Sequence, residues 1–279
     1  NEKLGRGYDI TQALEAIDNV IMDIYHKQYW GYNSFFFLAS STQCHPNYVS
    51  YLMNKKTLSV KQINELLLKI IPNKKLMYDA KYAEKLYLDY QSIKCDDGNT
   101  IELLKNKFVG QDILLLGPGK NIKKQLDIVK NYIKQHNPIV IAVNYDPEDF
   151  DIDYVFLTKA KRYTQLIKDI NKGINAKAEI IATSNVTKTS GDFDYVLNYS
   201  SLIDKNTEII DNSLVMLLKA MCIFEVKNIS LAGFDGYSKS EDNYYDISRE
   251  YSFVKEKSEY FNKYVRDYLT SINKKLKVR

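Results

Sequence analysis

DILLLGPGKNIKKQLDIVKNYIKQHNPIVIAV, Asp112 to Val143, is the stretch on which the fold turns. It opens on an apolar run (DILLL) and turns on two glycines. A helical pattern follows (NIKKQLDIVKNYIKQ), and the stretch closes on a second apolar run (IVIAV). A strand that is apolar on both faces has to be covered on both. Two such strands joined by a helix argue for a parallel pair. The rhythm continues in DYVFL (Asp153–Leu157), EIIAT (Glu179–Thr183), DYVLN (Asp194–Asn198) and NISLA (Asn228–Ala232), with NSLVMLLKAMCIF as a helix before the last of these. The expected fold class is α/β: a doubly wound, mainly parallel, Rossmann-like sheet over residues 107–279, about the size of one domain.

Residues 10–95 carry a different period. In TQALEAIDNVIMDIYHK the residues Leu14, Ile17, Val20, Ile21 and Ile24 recur at three and four, as on one face of a helix. SVKQINELLLKII repeats the pattern with Val60, Ile63, Leu66, Leu67 and Ile70. Ser59 and Gln62 stand at capping-box spacing, and Pro72 ends the run. KYAEKLYLDYQ is a third helix. The polar CDDGNT, Cys95 to Thr100, marks a boundary. The reading is therefore a small all-α domain over 1–95, a linker over 96–106 and the α/β domain over 107–279.

The chain has 279 residues, of which 45% are hydrophobic and 27% charged, ordinary values for a globular protein with a real core. A net charge of +4, with no basic stripe interleaved with aromatics, argues against a nucleic-acid partner. The basic tail KKLKVR reads as a solvated end. Cys44, Cys95 and Cys222 are scattered without a CxxC, which points to a reduced, cytoplasmic chain without a structural disulfide. Cys44 and His45 are adjacent but isolated, so a structural use is expected and no metal site. No apolar run nears the roughly 20 residues of a membrane helix. The chain begins with Asn rather than Met and so reads as part of a longer protein.

In a doubly wound sheet the ligand lies beyond the carboxyl ends of the strands, where strand order reverses. The residues following each strand are therefore the candidates. After DILLL, Gly117 and Gly119 permit a tight turn, and the helix beyond it offers N–H groups to an anion; a plain βα turn is the alternative. Neither GxxxxGK[ST] nor GxGxxG is complete here. After IVIAV stands Asn144, able to read a base or sugar edge with both a donor and an acceptor, or else a helix cap or turn former. After DYVFL come Lys159, Lys161 and Arg162, cations for a phosphate or a solvated helix start. Asn212 and Ser213 open the apolar helix. The loop LAGFDGYSKSEDNYYD, Leu231 to Asp246, brings Asp235, Tyr237, Tyr244 and Tyr245, and phenol hydroxyls can donate to phosphate without adding charge. Together these residues point to a nucleotide or nucleotide-sugar pocket.

The run Asn212 to Tyr237, with the tyrosine several residues on, resembles the small bacterial sialyltransferases that decorate lipooligosaccharide. The same layout occurs in motility-accessory and pterin-diphosphokinase-like proteins. The likeness covers roughly 107–279. It implies that Gly117, Gly119, Asn144 and Ser213 bind a cytidine nucleotide, that Tyr237 and Tyr244 hold its phosphate, and that the ligand is a CMP-linked sugar. Two departures stand out: the turn reads Gly-Pro-Gly-Lys where that family has Gly-Asn-Gly-Pro-Ser, and no histidine follows Tyr244 to act as general base. Glu250, Glu256 and Glu259 are the acids in that region, while Asp146, Glu148, Asp149 and Asp151 would serve a metal-dependent diphosphokinase.

LGRGYDITQALEAI with WGYNSFFFLASSTQCHPNYVSYLMNKKTLSVKQINELLLKI, Leu4 to Ile71, resembles the tail of metal-dependent aldolases of the 4-hydroxy-2-oxovalerate and hydroxymethylglutaryl-lyase type. The resemblance implies a partner barrel of about 250 residues in the same polypeptide, lying outside this chain, with a second copy of this chain as a further candidate partner. It also implies a place in keto-acid sugar and surface-polysaccharide assembly. A binding module without catalysis is the competing expectation.

Overall fold

The structure is a computed structural model. It describes residues 15, 17–21, 34–55, 57–92, 95–160, 162–163, 166, 175, 177–186, 193–205, 207, 209–246, 252–273 and 276–278. Most of the helix expected over residues 11–27 therefore lies outside the described residues. Ile17–Ile21 form one π-helical turn, with Ile17, Val20 and Ile21 exposed rather than packed as an apolar face.

Helices α1 (Ser34–Ser41), α2 (Pro46–Asn54), α3 (Val60–Lys69), the single turn α4 (Pro72–Lys75) and α5 (Ala80–Gln91) come first. The sequence sets their ends. The His45 ring nitrogen caps α2, accepting from Asn47 N–H, with Pro46 in the first turn, where its missing N–H costs nothing. Ser59 and Gln62 form the expected capping box on α3, each side chain meeting the other's backbone N–H. Ile63, Leu66, Leu67 and Ile70 pack with Val49, Leu52, Tyr48 and Tyr87 in one buried cluster; Val60, placed in the same stripe by the period, is exposed. Cys44 belongs to this cluster, its thiol directed at the carbonyls of Thr42 and Leu67, so the Cys44–His45 pair is structural.

The segment 96–106, expected as a linker, is largely helix. α6 (Gly98–Phe108) buries Leu104 and Phe108 in the core beneath the sheet. Strands β1 (Asp112–Leu116), β2 (Ile139–Val143), β3 (Tyr154–Leu157), β4 (Glu179–Thr183), β5 (Tyr195–Leu197) and β6 (Asn228–Ala232) fall on the six apolar runs. A seventh strand, β7 (Lys277–Val278), lies in the basic tail. The order is β5-β4-β3-β2-β1-β6-β7, with every pairing parallel. The tail expected as a solvated end instead pairs with β6 (Ile229 opposite Val278), and Leu276 is buried beside it.

Along β1 the side chains alternate between two cores. Ile113 and Leu115 face one, with α6, α9 (Ser213–Ile223) and α11 (Ser258–Ile272); Leu114 and Leu116 face the other, with α7 (Leu126–His136), Tyr163 and Leu166. α9 is apolar nearly all round because it is buried nearly all round, from Leu214 to Met221. Two further short helices are α8 (Tyr199–Leu202) and α10 (Ser252–Glu256). Among the described residues no helix is long and apolar enough to cross a membrane.

Candidate functional site

Strand order runs outward from β1 to β5, then jumps back to place β6 on the other side of β1. The crevice between the carboxyl ends of β1 and β6 is thus the switch point where α/β sheets bind ligands. Two glycine turns meet there. Gly117 N–H donates to Ala232 O at 2.8 Å, and Gly119 N–H to Gly233 O at 2.9 Å. A Cβ on either Gly117 or Gly119 would stand 2.5 Å from Gly233 O, too close for any side chain. Gly233 has φ +72°, and a Cβ there would collide with the Gly117 carbonyl. The Tyr145 hydroxyl donates to that same carbonyl at 3.1 Å.

The opening loop lies over this crossing. Tyr244 bridges Gly119 in antiparallel fashion, Lys120 N–H reaches Asn243 O, and Tyr245 N–H reaches Pro118 O. Asn262 of α11 clamps Tyr237 from both sides of its backbone, accepting from its N–H at 2.8 Å and donating to its carbonyl at 2.7 Å. The Tyr237 ring meets that of Tyr244 edge-on, with centroids 6.4 Å apart, and lies tilted against Phe261 at 5.3 Å. Burial pushes its phenol above the usual tyrosine range, partly offset by hydrogen bonding to Tyr244 and Asn212, so it remains a proton donor at neutral pH.

Two expectations change in detail. The helix after the glycine turn does not open at the turn: Asn121 to Gln125 form turns, and α7 begins at Leu126. Of the N–H groups beyond the turn that were expected to meet an anion, that of Asn121 is taken at 2.8 Å by the Asp235 carboxylate. Asn144, expected to read a base or sugar edge, holds φ +59°, and its amide is committed inward. Its Nδ2 donates to Ser213 Oγ (2.8 Å) and Thr158 Oγ1 (3.2 Å), while Oδ1 accepts from Thr158 N–H (3.0 Å). Thr158 and Ser213 hydroxyls share a 2.7 Å hydrogen bond. Asn144 thus positions Ser213 at the start of α9, whose cap is Asn212, accepting from Val215 N–H.

A cavity of about 910 Å³ opens at this place. Gly119, Asn144, Ser213, Asp235, Tyr237 and Tyr244 line it; Gly117 does not, and acts through the backbone crossing beneath. Lys159 and Arg162 also line it, as their place after β3 suggested, whereas Lys161 falls outside the described residues. Sequence reasoning missed Tyr51, Lys55 and Tyr87 from the first helices and Lys257, Asn262 and Arg266 from the last. On a helix, such polar positions carry no signal that separates a cavity wall from a solvated face.

Among the described residues the lining holds six cations (Lys55, Lys120, Lys159, Arg162, Lys257, Arg266) against two carboxylates, Asp211 and Asp235, which favours an anionic ligand. Glu256 and Glu259 are exposed outside the lining, and Glu250 lies outside the described residues. Asp146 accepts from Asn175 at 2.5 Å and Asp149 pairs with Lys123, both away from the cavity. Among the described residues no three His, Cys, Asp or Glu side chains come together as metal ligands. Comparison with protein-family models and with curated proteins finds no match to this chain.

Proposed function

We propose that the α/β part of this chain binds a nucleotide or nucleotide-sugar, CMP-linked, at the β1–β6 crevice, as the donor site of a glycosyltransferase in surface-polysaccharide assembly. The observation that carries this reading is the convergence of Gly119, Ser213, Tyr237 and Tyr244 on one cavity dominated by cations. Neutral phenol and hydroxyl donors suit a phosphate that must be held and then released. The aldolase-like character of residues 4–71 fits the same chemistry, since keto-acid sugars are both made by aldolases and carried on CMP.

A second reading, a binding module without transfer, is favoured by one observation. Among the described residues no histidine lines the cavity, and of its two carboxylates Asp235 is engaged by Asn121 N–H. Calorimetric titration with CMP, CDP, UDP and ATP, with and without magnesium, tests the proposal. Metal-independent binding of CMP or CDP is expected. Binding of ATP with magnesium alone would move the assignment to a diphosphokinase, and no binding of any of the four would overturn the nucleotide site. Hydrolysis or transfer from a CMP-sugar then separates the enzyme from the binding module.

A further inference from the structure

The first helices reach the cavity through one cation. Lys55 stands just after α2, half-buried, with its ammonium 4.8 Å from the Tyr51 ring centre and 4.9 Å from that of Tyr87. Both rings line the cavity with it. Aromatic faces stabilise an ammonium while leaving its hydrogen-bond donors free for a third group. No carboxylate among the described residues forms an ion pair with Lys55, whereas Lys74, Lys105, Lys107, Lys120, Lys123 and Lys255 each have one. Burial is the main influence on its ammonium and lowers its pKa, with Lys257 pushing the same way; Glu84 and Asp211 act against them at longer range. Beside it the Tyr51 hydroxyl is buried and has no hydrogen-bond partner. Tyr87 is fixed by its own 2.9 Å hydrogen bond to Thr57, so the clamp around Lys55 is rigid on that side.

A half-buried ammonium that forms no ion pair among the described residues and opens into a cavity rich in cations is poorly explained as a stability device, because burying an unpaired charge, even in part, is unfavourable. Its surroundings are explained if an anion completes them. We infer that Lys55 is a ligand-binding residue contributed by the helical segment, and that it takes a second oxyanion of the ligand, beyond the phosphate assigned to Tyr237 and Tyr244. The inference rests on the nucleotide reading above. The oxyanion is the outer phosphate of a nucleoside diphosphate or the carboxylate of an acidic sugar on a nucleoside monophosphate; the ammonium serves both. The helical segment is then part of the site and not merely attached to it.

The test compares the full chain with its Lys55→Met and Lys55→Arg variants; methionine keeps the apolar stem between the two rings. The probes are CMP, CDP, CMP joined to a carboxylate-bearing sugar, and inorganic pyrophosphate. CMP affinity is expected to survive Lys55→Met, while CDP, the acidic conjugate or both lose about tenfold or more, with substantial rescue by arginine. Loss confined to CDP identifies a phosphate, and loss confined to the conjugate a carboxylate. Acylation of Lys55, followed by mass spectrometry of its peptide, gives an independent readout: pyrophosphate is expected to slow it. If no nucleotide binds but pyrophosphate still shields Lys55, the nucleotide reading fails and the anion site stands. Equal affinities of wild type and Lys55→Met for every probe, unshielded Lys55, or a loss for CMP as large as for CDP overturns the inference.

Discussion

Ser213 is the residue on which the nucleotide reading is easiest to break. Its hydroxyl is oriented by Asn144 and Thr158, so Ser213→Ala removes a donor without leaving a charge behind. Nucleotide affinity is expected to fall roughly two- to tenfold, the size of one neutral hydrogen bond, with the fold retained but its stability lowered by about 1 kcal/mol, because Ser213 Oγ also partners Asn144 and Thr158. Tyr237→Phe is expected to act alike; calorimetry on both variants checks this, and undiminished affinity in both would remove the phosphate assignment. Gly119→Ala is different in kind. The new Cβ would meet the Gly233 carbonyl at 2.5 Å, so the two turns must part. A destabilisation of about 1–3 kcal/mol, typical of overpacking, is expected in chemical denaturation, together with loss of binding. The glycines were legible in the sequence as a turn. That they are needed for each other was not, because Gly117 and Gly233 are joined only by the parallel pairing of β1 and β6.

At the scale of elements, the strands were legible because burial on both faces leaves an unbroken apolar run, and five of the six expected runs differ from the observed strands by no more than one residue at an end, with DYVLN one shorter at each end. β7 was not legible: two residues of a basic tail carry no period, and only the open edge of β6 gives them a partner. α6 was hidden for a related reason, since its two buried residues, Leu104 and Phe108, are too few to outweigh the polar start of the segment. A pH effect also belongs to this scale. Lys107 on α6 reaches Glu179 at the start of β4 at 2.7 Å, passing over the rings of Tyr154 and Tyr195. The Lys107 hydrogen bond, foremost, holds the Glu179 carboxyl below its usual range. The folded-state value is depressed, so the stabilisation is present above the unfolded-state pKa and is lost as pH falls through the folded one. Both side chains are more than a third exposed, and solvent screening limits the effect to about 0.2–1 kcal/mol. Glu179→Gln is expected to flatten the acid limb of a stability–pH curve by that amount while leaving nucleotide affinity unchanged.

The described residues form three buried clusters, one within the first helices and one on each face of the sheet. Gln62 of α3, itself buried, reaches the Asn185 carbonyl beyond β4, so the helices abut the sheet beside the cavity. Amide exchange should be slowest in β1, β2 and β3, whose residues sit between both sheet cores, and faster in α1–α5. A bound ligand should slow exchange around Tyr51–Thr57 as well as at the glycine turn; protection confined to the turn would mean that the helices take no part. The location of the pocket could be read from the sequence, but its extent could not, because its walls depend on how separate elements are brought together. Tyr51 and Arg266, near opposite ends of the described chain, line the same hollow. A ligand bound there would therefore act as a clasp. Pulled from its two termini in a single-molecule experiment, the protein should yield at higher force when the clasp is fastened, and the rise should track ligand concentration as ordinary linkage requires.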